Sequence, residues 1–463
     1  MSGMMTSRER VQAALEHRQP DMVPIDIGGC DSSTLTGIAY NKLRRYLSGE
    51  TAADAERKAA PGEDESGSKS GRREENSEPD SGWDWASEKA GKIVGQPPRI
   101  WEICQQAALV DEDIRQALGG DTVGVHPGPL RWREERLPDD SPCIVPDRFR
   151  PTTLENGSEV VLASTPQSPG GGGQRETPAS TPQGVLLLRK PNGLYFEPIF
   201  FSPYADATCE ADFDQNPEYI DDFDWASWWD LPVEQMAAET AQLRADTDYF
   251  ITGNVYDHIL AAGQWLRGFE QFMMDLMINK SLAHALMERL VDVYLRRFEA
   301  YLPVAEHCDI IVVNDDLGTQ NGPQMSPELY REMIKPHHLR LWGGLKQMCG
   351  KPLLLHSCGS IYALIPDIIE AGIDALNPVQ VSAADMDSAR LKREFGKDIT
   401  FWGGGCDTQY VLPRGSVAEV VEEVRRRVED LAEDGGFVFC PVHNIQPDVP
   451  AENIVACYRA ARA

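Results

Sequence analysis

No stretch of this chain reaches the roughly 20 continuous apolar residues that a membrane-spanning helix requires, so the sequence contains no candidate for one. Positive charge is also scarce. Lys and Arg number 44 against 73 Asp and Glu, a formal net charge of -29. A nucleic-acid footprint needs clustered Lys and Arg to neutralise phosphates, and the same acidity opposes docking on an anionic membrane. Nucleic acid and membrane are therefore both excluded as partners. The opening residues Met1 to Arg10 are polar and run straight into a helical pattern, which predicts no secretory leader. Ten cysteines lie scattered over 463 residues. That usage points to reduced thiols and a cytoplasmic setting more than to a disulfide framework.

What is present is a strand-then-helix alternation interrupted by two stretches of low complexity. Thr6-Ser7-Arg8-Glu9 offers an N-cap to a helix through Leu15, Val23 to Gly28 reads as a first strand, and a helix follows from Thr36 to Leu47. From 51 to 92 the composition turns to Glu, Asp, Ser, Gly, Lys and Arg, too poor in apolar residues to offset ordering entropy, which predicts a mobile acidic insertion. A helix is expected over Ile100 to Leu118, then a strand over Thr122 to Val125. Within 128–249 the pattern becomes β-like, at Glu159 to Leu162, Val185 to Leu188 and Leu194 to Phe196 after an Asn192-Gly193 turn. The Pro-, Gly- and Ser-rich residues 164–184 predict a flexible loop. An Asp- and Trp-rich run, 221–230, predicts an exposed loop holding a few packed tryptophans.

From Phe250 onward the alternation is regular. Strands are expected at Phe250 to Gly253, Ile310 to Val313, Pro352 to His356, Ala375 to Asn377, Thr400 to Trp402 and Phe437 to Phe439. Helices are expected over Leu282 to Ala305, Pro327 to Met348, Ile361 to Ala371, Val417 to Ala432 and Glu452 to Ala461. With the strands near Ile25 and Val123 this makes about eight parallel strands, the number that closes a TIM barrel. The expected architecture is α/β, a single (β/α)8 TIM barrel over 1–463 with an inserted small antiparallel β-subdomain and two low-complexity loops.

A barrel gathers its strand ends at one mouth, and here those ends are polar. Because strand side chains alternate faces, His356 and Cys358 point the same way as Leu354, while Leu353 and Leu355 point the other way. An imidazole and a thiol thus converge where a buried strand opens into a Gly-containing loop, and both suit zinc. Three protein ligands and one open position form the catalytic zinc arrangement. His356 and Cys358 are the first two candidates, and the third is His443, Cys440 or Cys406. Asp315 and Asp316 follow the Ile310 strand as ligands, orienters of His356 or substrate-binding acids. Asn254, Gln320, Asn377, Gln380 and Asp407 lie at or beyond other strand ends and are candidates for substrate contact.

The opening Ser7-Arg8-Glu9-Arg10-Val11-Gln12-Ala13-Ala14-Leu15 resembles the uroporphyrinogen decarboxylase superfamily. So do Asp315-Asp316-Leu317-Gly318-Thr319-Gln320, His356-Ser357-Cys358-Gly359, and Val442-His443-Asn444-Ile445-Gln446-Pro447 near the end. The resemblance covers nearly the whole chain apart from the two low-complexity insertions, and it implies a TIM barrel. True decarboxylases of this superfamily carry an Arg-rich segment after the first strand that receives substrate carboxylates. The corresponding Gly28-Gly29-Cys30-Asp31-Ser32-Ser33-Thr34 has no arginine, and a polycarboxylate held without guanidinium groups is poorly paired. The other branch holds zinc-dependent methyltransferases and O-demethylase components that work with corrinoid proteins and carry a His-x-Cys motif where His356 and Cys358 stand. Their third ligand is a Cys that aligns with His443, so the resemblance implies Zn2+ at His356, Cys358 and His443 with one thiolate fewer. It also implies a methylcobamide corrinoid supplied by a partner protein, a small methyl donor or acceptor, and Asp315, Asp316 and His443 as catalytic groups. A homodimer is one expected assembly.

Overall fold

In the computed structural model, described over residues 4–49, 96–126, 131–147, 149–162, 186–199, 202–221 and 233–462, seven parallel strands form one curled sheet. They are β1 (Thr122–Val125), β2 (Phe250–Asn254), β3 (Ile310–Asn314), β4 (Leu353–His356), β5 (Ala375–Asn377), β6 (Thr400–Trp402) and β7 (Phe437–Val438). Each pairs with the next, and the register sets His356 beside Asn377 and Asn314 beside His356. The expected strand near Ile25 is reduced to one parallel bridge, Ile25 to Phe439. It still joins the two free edges. Asp26 N–H donates to Phe439 O and Phe439 N–H to Pro24 O, both at 2.8 Å, while Asp121 N–H, just ahead of β1, donates to Ile25 O at 2.7 Å. Pro24 has no N–H with which to extend the ladder, and Gly28, at φ +76°, turns the chain away, so the closing segment stays short. The barrel is thus completed by an eighth segment of minimal length.

Strand alternation sorts the core into two layers. Phe250, Ile310, Val312, Leu354, Ala375, Trp402, Val438 and Cys440 pack inside the barrel, with Val11 and Ala14 of the first helix, Ser7–Leu15, in the same cluster. Ile311, Val313, Leu353, Leu355, Leu376 and Phe401 face the surrounding helices. Both layers are fully buried, which is the burial on two faces that parallel sheets require. The first helix starts on a capping box: Thr6 Oγ1 accepts from Glu9 N and Glu9 Oε2 from Thr6 N, at 3.2 and 2.9 Å.

A repeated device fixes the register at the N-terminal ends of the strands. The Asp that precedes a strand donates its N–H to the carbonyl of a residue at the start of the neighbouring strand and accepts that residue's N–H on its carboxylate. Asp121 does this with Ile25, Asp309 with Ile251 and Asp374 with Leu353; each carboxylate accepts at 2.8 Å. Each carboxylate also meets a cation: Arg10 and Arg462, Arg244, and Lys346 respectively. Charge-assisted bonds of this kind are shorter and stronger than neutral ones.

Departures from the sequence reading cluster before β2. The helix expected over Ile100 to Leu118 is instead a hairpin, Ile100–Glu102 with Ala107–Ala108, followed by a helix, Glu112–Leu118. Glu102 breaks the helix because its carboxylate accepts the backbone N–H groups of Cys104 and Gln105, at 2.7 and 2.8 Å, which closes a turn. The antiparallel region holds a hairpin, Trp132–Arg136 with Pro142–Pro146, and a four-stranded sheet of Thr152–Thr153, Glu159–Leu162, Leu186–Arg189 and Glu197–Ile199. Leu194 to Phe196 is not a strand, since Phe196 N–H is taken by Cys104 O at 3.0 Å before pairing resumes at Glu197. The helix read over Pro327 to Met348 contains a π-helical turn, Tyr330–Ile334. The acidic insertion 51–92, the loop 164–184, Val185 and residues 222–230 of the Asp- and Trp-rich run lie outside the described residues. Among the described residues no helix is long and apolar enough to cross a membrane.

Two buried histidines give stability a pH dependence. Burial pushes His126, stacked on Trp101, and His337, beside His284, down to about 4. Between about pH 6.5 and pH 4 the unfolded chain therefore holds protons at these rings that the native state does not, so stability falls as pH falls. Each ring contributes at most about 1.4 kcal/mol per pH unit across that window. Urea unfolding at pH 7 and pH 5 is expected to show the lower midpoint at pH 5, with a smaller difference in His126→Gln. An identical pH difference in that variant would assign the effect to other groups.

Candidate functional site

The mouth is built by β3, β4, β5 and the loop after β7. His356 ends β4, and its Nδ1 lies 2.7 Å from Asn377 Oδ1, directly across the β4–β5 register. That oxygen is an acceptor: it also receives Ser32 Oγ at 2.7 Å, while Asn377 Nδ2 donates to Trp402 O at 3.1 Å. His356 must therefore donate from Nδ1, which turns Nε2 toward Cys358 Sγ, 3.5 Å away. Such an outer hydrogen bond is what orients a metal-binding histidine.

Cys358 is placed by the loop contacts around it. Its N–H donates to Asp316 Oδ1 at 2.8 Å, Leu317 N–H donates to Ser357 Oγ at 3.0 Å, and Ser360 N–H donates to Thr319 O at 2.7 Å. The loops approach so closely that a Cβ on Gly359, at φ +87°, would lie 2.6 Å from the Gly318 carbonyl carbon. Glycine is required there on both conformational and steric grounds. Gln380 Oε1 accepts Gly359 N–H at 2.7 Å, and Gln380 Nε2 donates in turn to Gln320 Oε1.

The third member arrives from the loop after β7. The ligand atoms of His356, Cys358 and His443 all lie within 4.8 Å of one another. The 3.5 Å between Nε2 and Sγ matches the ~3.6 Å edge that zinc–nitrogen and zinc–sulfur bonds of about 2.0–2.1 and 2.3 Å give in a tetrahedron. His443 fits less directly. Its Nδ1 accepts Asn444 N–H at 2.8 Å, so the proton of the neutral ring sits on Nε2, and joining a metal requires that bond to be exchanged. Cys440 lies inside the barrel, its Sγ 3.9 Å from Asn377 Nδ2, and the buried Cys406 thiol faces Cys457 of the last helix, Ala451–Ala461. Neither joins the cluster.

Electrostatics separates the two neighbouring acids. Burial acts to raise the Asp316 pKa, yet His356, the Cys358 N–H, His258 and His443 together hold it below the ordinary carboxylate value. Burial likewise opposes charge on His356, but Cys358, Asp31 and Asp316 outweigh it and raise that ring's pKa; burial takes His443 down to about 4. Asp315 stands elsewhere. Its carboxylate accepts the N–H groups of Leu260 and Ala261 at the start of the helix Leu260–Arg267, at 2.9 and 3.2 Å, and contacts His338 Nε2 at 2.9 Å. The carboxylate thus joins that helix start to His338 of the helix Lys335–Cys349. Asn254 Nδ2 donates to Gly29 O and Val125 O at 3.0 and 3.3 Å, and the Asp407 carboxylate accepts Gln409 and Tyr410 N–H groups at 2.9 and 3.2 Å. These two brace loops.

Sequence reasoning did not single out Asp31 and His258, which act on the site, or Glu102 and Tyr256, which lie near Asp31. His258 and Asp31 are among the charges acting on Asp316 and His356, and Glu102 and Asp31 act on Tyr256. Asp31 carried a signal, since it occupies the arginine-free loop after Ile25 to Gly28.

Residues 258–463, the part that carries β3 to β7 and all three cluster residues, match the family model described as uroporphyrinogen decarboxylase (URO-D). A uroporphyrinogen decarboxylase of Thermus thermophilus is 29% identical over 178 residues, 38% of this chain and 47% of that protein. One from Pelobacter propionicus is 24% identical over 194 residues, 42% of this chain and 53% of that protein. The chain thus spans about half the length of the curated relatives it matches. A solved structure, a methyltransferase from Methanosarcina mazei, superposes with a TM-score of 0.51 at 14% identity, covering 99% of this chain and 98% of that one. It shares the fold.

Proposed function

We propose that this chain, whose residues 258–463 match the URO-D family model, is a zinc-dependent methyltransferase of that superfamily. It moves a methyl group between a small methylated ether, amine or thiol and a corrinoid carried by a separate protein. The observation that supports this reading is the convergence of His356, Cys358 and His443 within 4.8 Å, with Asn377 fixing the ring of His356. When bound, zinc supplies a Lewis acid to the heteroatom that bears the methyl group. The chain's own residues hold and orient. Asn377 keeps Nε2 of His356 facing inward, and Asp316, held ionised, anchors the amide of Cys358. Gln380 and Gln320 brace the Gly359 turn.

Asn377→Ala is expected to weaken zinc binding about 10- to 100-fold, as loss of an outer partner does, when measured by chelator competition; unchanged affinity would show that the ring is held by other contacts. The reaction is tested by mixing the zinc-loaded chain with a methylated corrinoid protein and a thiol, or a reduced one and a methyl ether, and following the cobalt absorption bands. Methyl transfer changes those bands; bands that stay fixed with every donor and acceptor tried would overturn the reading. The names of the curated relatives favour a second reading, tetrapyrrole decarboxylation. Conversion of uroporphyrinogen by the purified chain would establish it.

A further inference from the structure

Eight described segments around the cluster lack basic side chains. Residues 28–36, 100–108, 254–261, 314–325, 356–362, 377–386, 403–412 and 440–450 contain no Lys or Arg, although the chain has 44, and they hold eight carboxylates. Burial is the largest influence on Asp31, Asp316, His356 and His443; the groups that act on them next are one another, Cys358, His258 and local backbone N–H groups, with no Lys or Arg among them. A carboxylate, sulfonate or phosphate entering this mouth would meet like charge from these segments, which offer no guanidinium or ammonium to pair it, and an unpaired anion is costly to desolvate.

Two carboxyl groups of these segments have a buried oxygen without a partner, Asp31 Oδ1 and Asp257 Oδ2, and Asp31 is the one beside His356. Asp31 Oδ1 is buried and has no hydrogen-bond partner, while Ser32 N–H supports the group from the backbone. The next residue, Ser32, donates Oγ to Asn377 Oδ1, the acceptor of His356 Nδ1, which sets the Asp31 loop beside the cluster, and the charges that act on Asp31 belong to His356, His258 and Asp316. Glu102 and Tyr256 feel Asp31 in turn and extend the same acidic, hydrogen-bonding wall. Buried carboxylates are ordinarily paired. A ligand group is the natural partner for Oδ1.

We propose that the small molecule taken by this mouth carries no anionic group, and that its ammonium, N–H or O–H group binds the Asp31 carboxyl beside His356 and Cys358. The assignment rests on the mouth being the substrate site, as in the reading above, and not on the reaction that occurs there. It makes Asp31 a specificity residue and excludes anionic thiols and polycarboxylates as substrates.

The test is binding, read by calorimetry or ligand-observed NMR on the full-length chain, with and without added zinc. Three small methyl ethers serve as probes: 2-methoxyethylamine, 2-methoxyethanol and methoxyacetate. The amine is expected to bind at least about tenfold more tightly than methoxyacetate, with the alcohol between them, a gap of about 1.4 kcal/mol. Asp31→Asn should bring the three within about threefold, with an unchanged unfolding midpoint, and Asp31→Glu should keep the order. Methoxyacetate binding as tightly as the amine, a preference that survives Asp31→Asn, or no saturable binding of the amine would each overturn the assignment. If Asp31→Asn does not fold, the order of the three probes on the unmodified chain decides. No methyl transfer is measured, so a failed reaction and a failed charge preference are told apart.

Discussion

Cys358→Ala and His356→Ala are each expected to reduce zinc affinity by more than about 100-fold, beyond what loss of an outer partner costs. The purified chain should hold about one zinc and the variants close to none. The two atoms involved already sit 3.5 Å apart, one tetrahedral edge, and each is held by a separate loop contact, Asn377 for the ring and Asp316 for the Cys358 amide. His443→Ala should do less damage, about tenfold, because His443 Nδ1 must release Asn444 N–H before the ring can reorganise, so part of its binding energy is already committed. Thermal unfolding gives a reading free of activity. Zinc at 100 times its Kd adds about 2.7 kcal/mol by mass action, which raises the midpoint of the parent chain and leaves that of Cys358→Ala unmoved. A Cys358→Ala chain that still holds one zinc, or a His443→Ala chain that is the most damaged of the three, would require a different ligand set.

The ligand pair was legible because His356 ends a strand, where period two sorts side chains without further information, and Cys358 keeps that parity two residues beyond it. Leu354 is inside the barrel, Leu353 and Leu355 are outside, and His356 and Cys358 follow Leu354. The same parity, carried two residues past β3, separates Asp316 from Asp315. Asp316 follows the inward Val312, and Asp315 follows the outward Val313 and meets the helix start at Leu260. Reading the two acids as one pair missed that distinction. Cys440 shares the inward parity of Val438 but packs in the inner core and does not join the cluster, a difference that alternation does not encode. His443 and Asp31 sit on loops, whose direction depends on backbone turns such as Gly28 and on contacts far away in sequence. The hairpin at Ile100 was hidden for a similar reason: its apolar spacing suits a helix, and only the Glu102 carboxylate turning back onto two N–H groups prevents one.

Asp121→Ala is expected to destabilise the fold by about 3–5 kcal/mol, the range for removing one partner from a buried ion pair, out of a total stability of roughly 5–15 kcal/mol. The carboxylate is 1% exposed and fully used. Oδ1 accepts from Ser7 Oγ and Arg10 at 2.8 and 2.6 Å, and Oδ2 from Ile25 N–H and Arg462 at 2.8 and 2.7 Å. It therefore ties the first helix, the closing segment and the last residues of the chain to the start of β1. Of the three strand-start aspartates it is the one at the closure, where Ile25 has only a single bridge on its other side. Removing it leaves the Ile25 N–H without its acceptor, Arg462 with only Gly119 O, and Arg10 with only Asp21 and Met5 O. Asp121→Asn should lose nearly as much, because one end of the amide would present N–H groups to donors. Asp374→Ala should lose less, since Asp374 is more exposed, with 39% of its side chain accessible. These positions lie at the end of the barrel opposite the mouth, where substitutions act on stability and not on chemistry. Urea unfolding reads the loss, and zinc titration of the folded fraction should return the parent affinity. A loss below about 1 kcal/mol for Asp121→Ala would mean that the seven-stranded sheet holds its curvature without the closing segment, and that Ile25 follows the barrel instead of completing it.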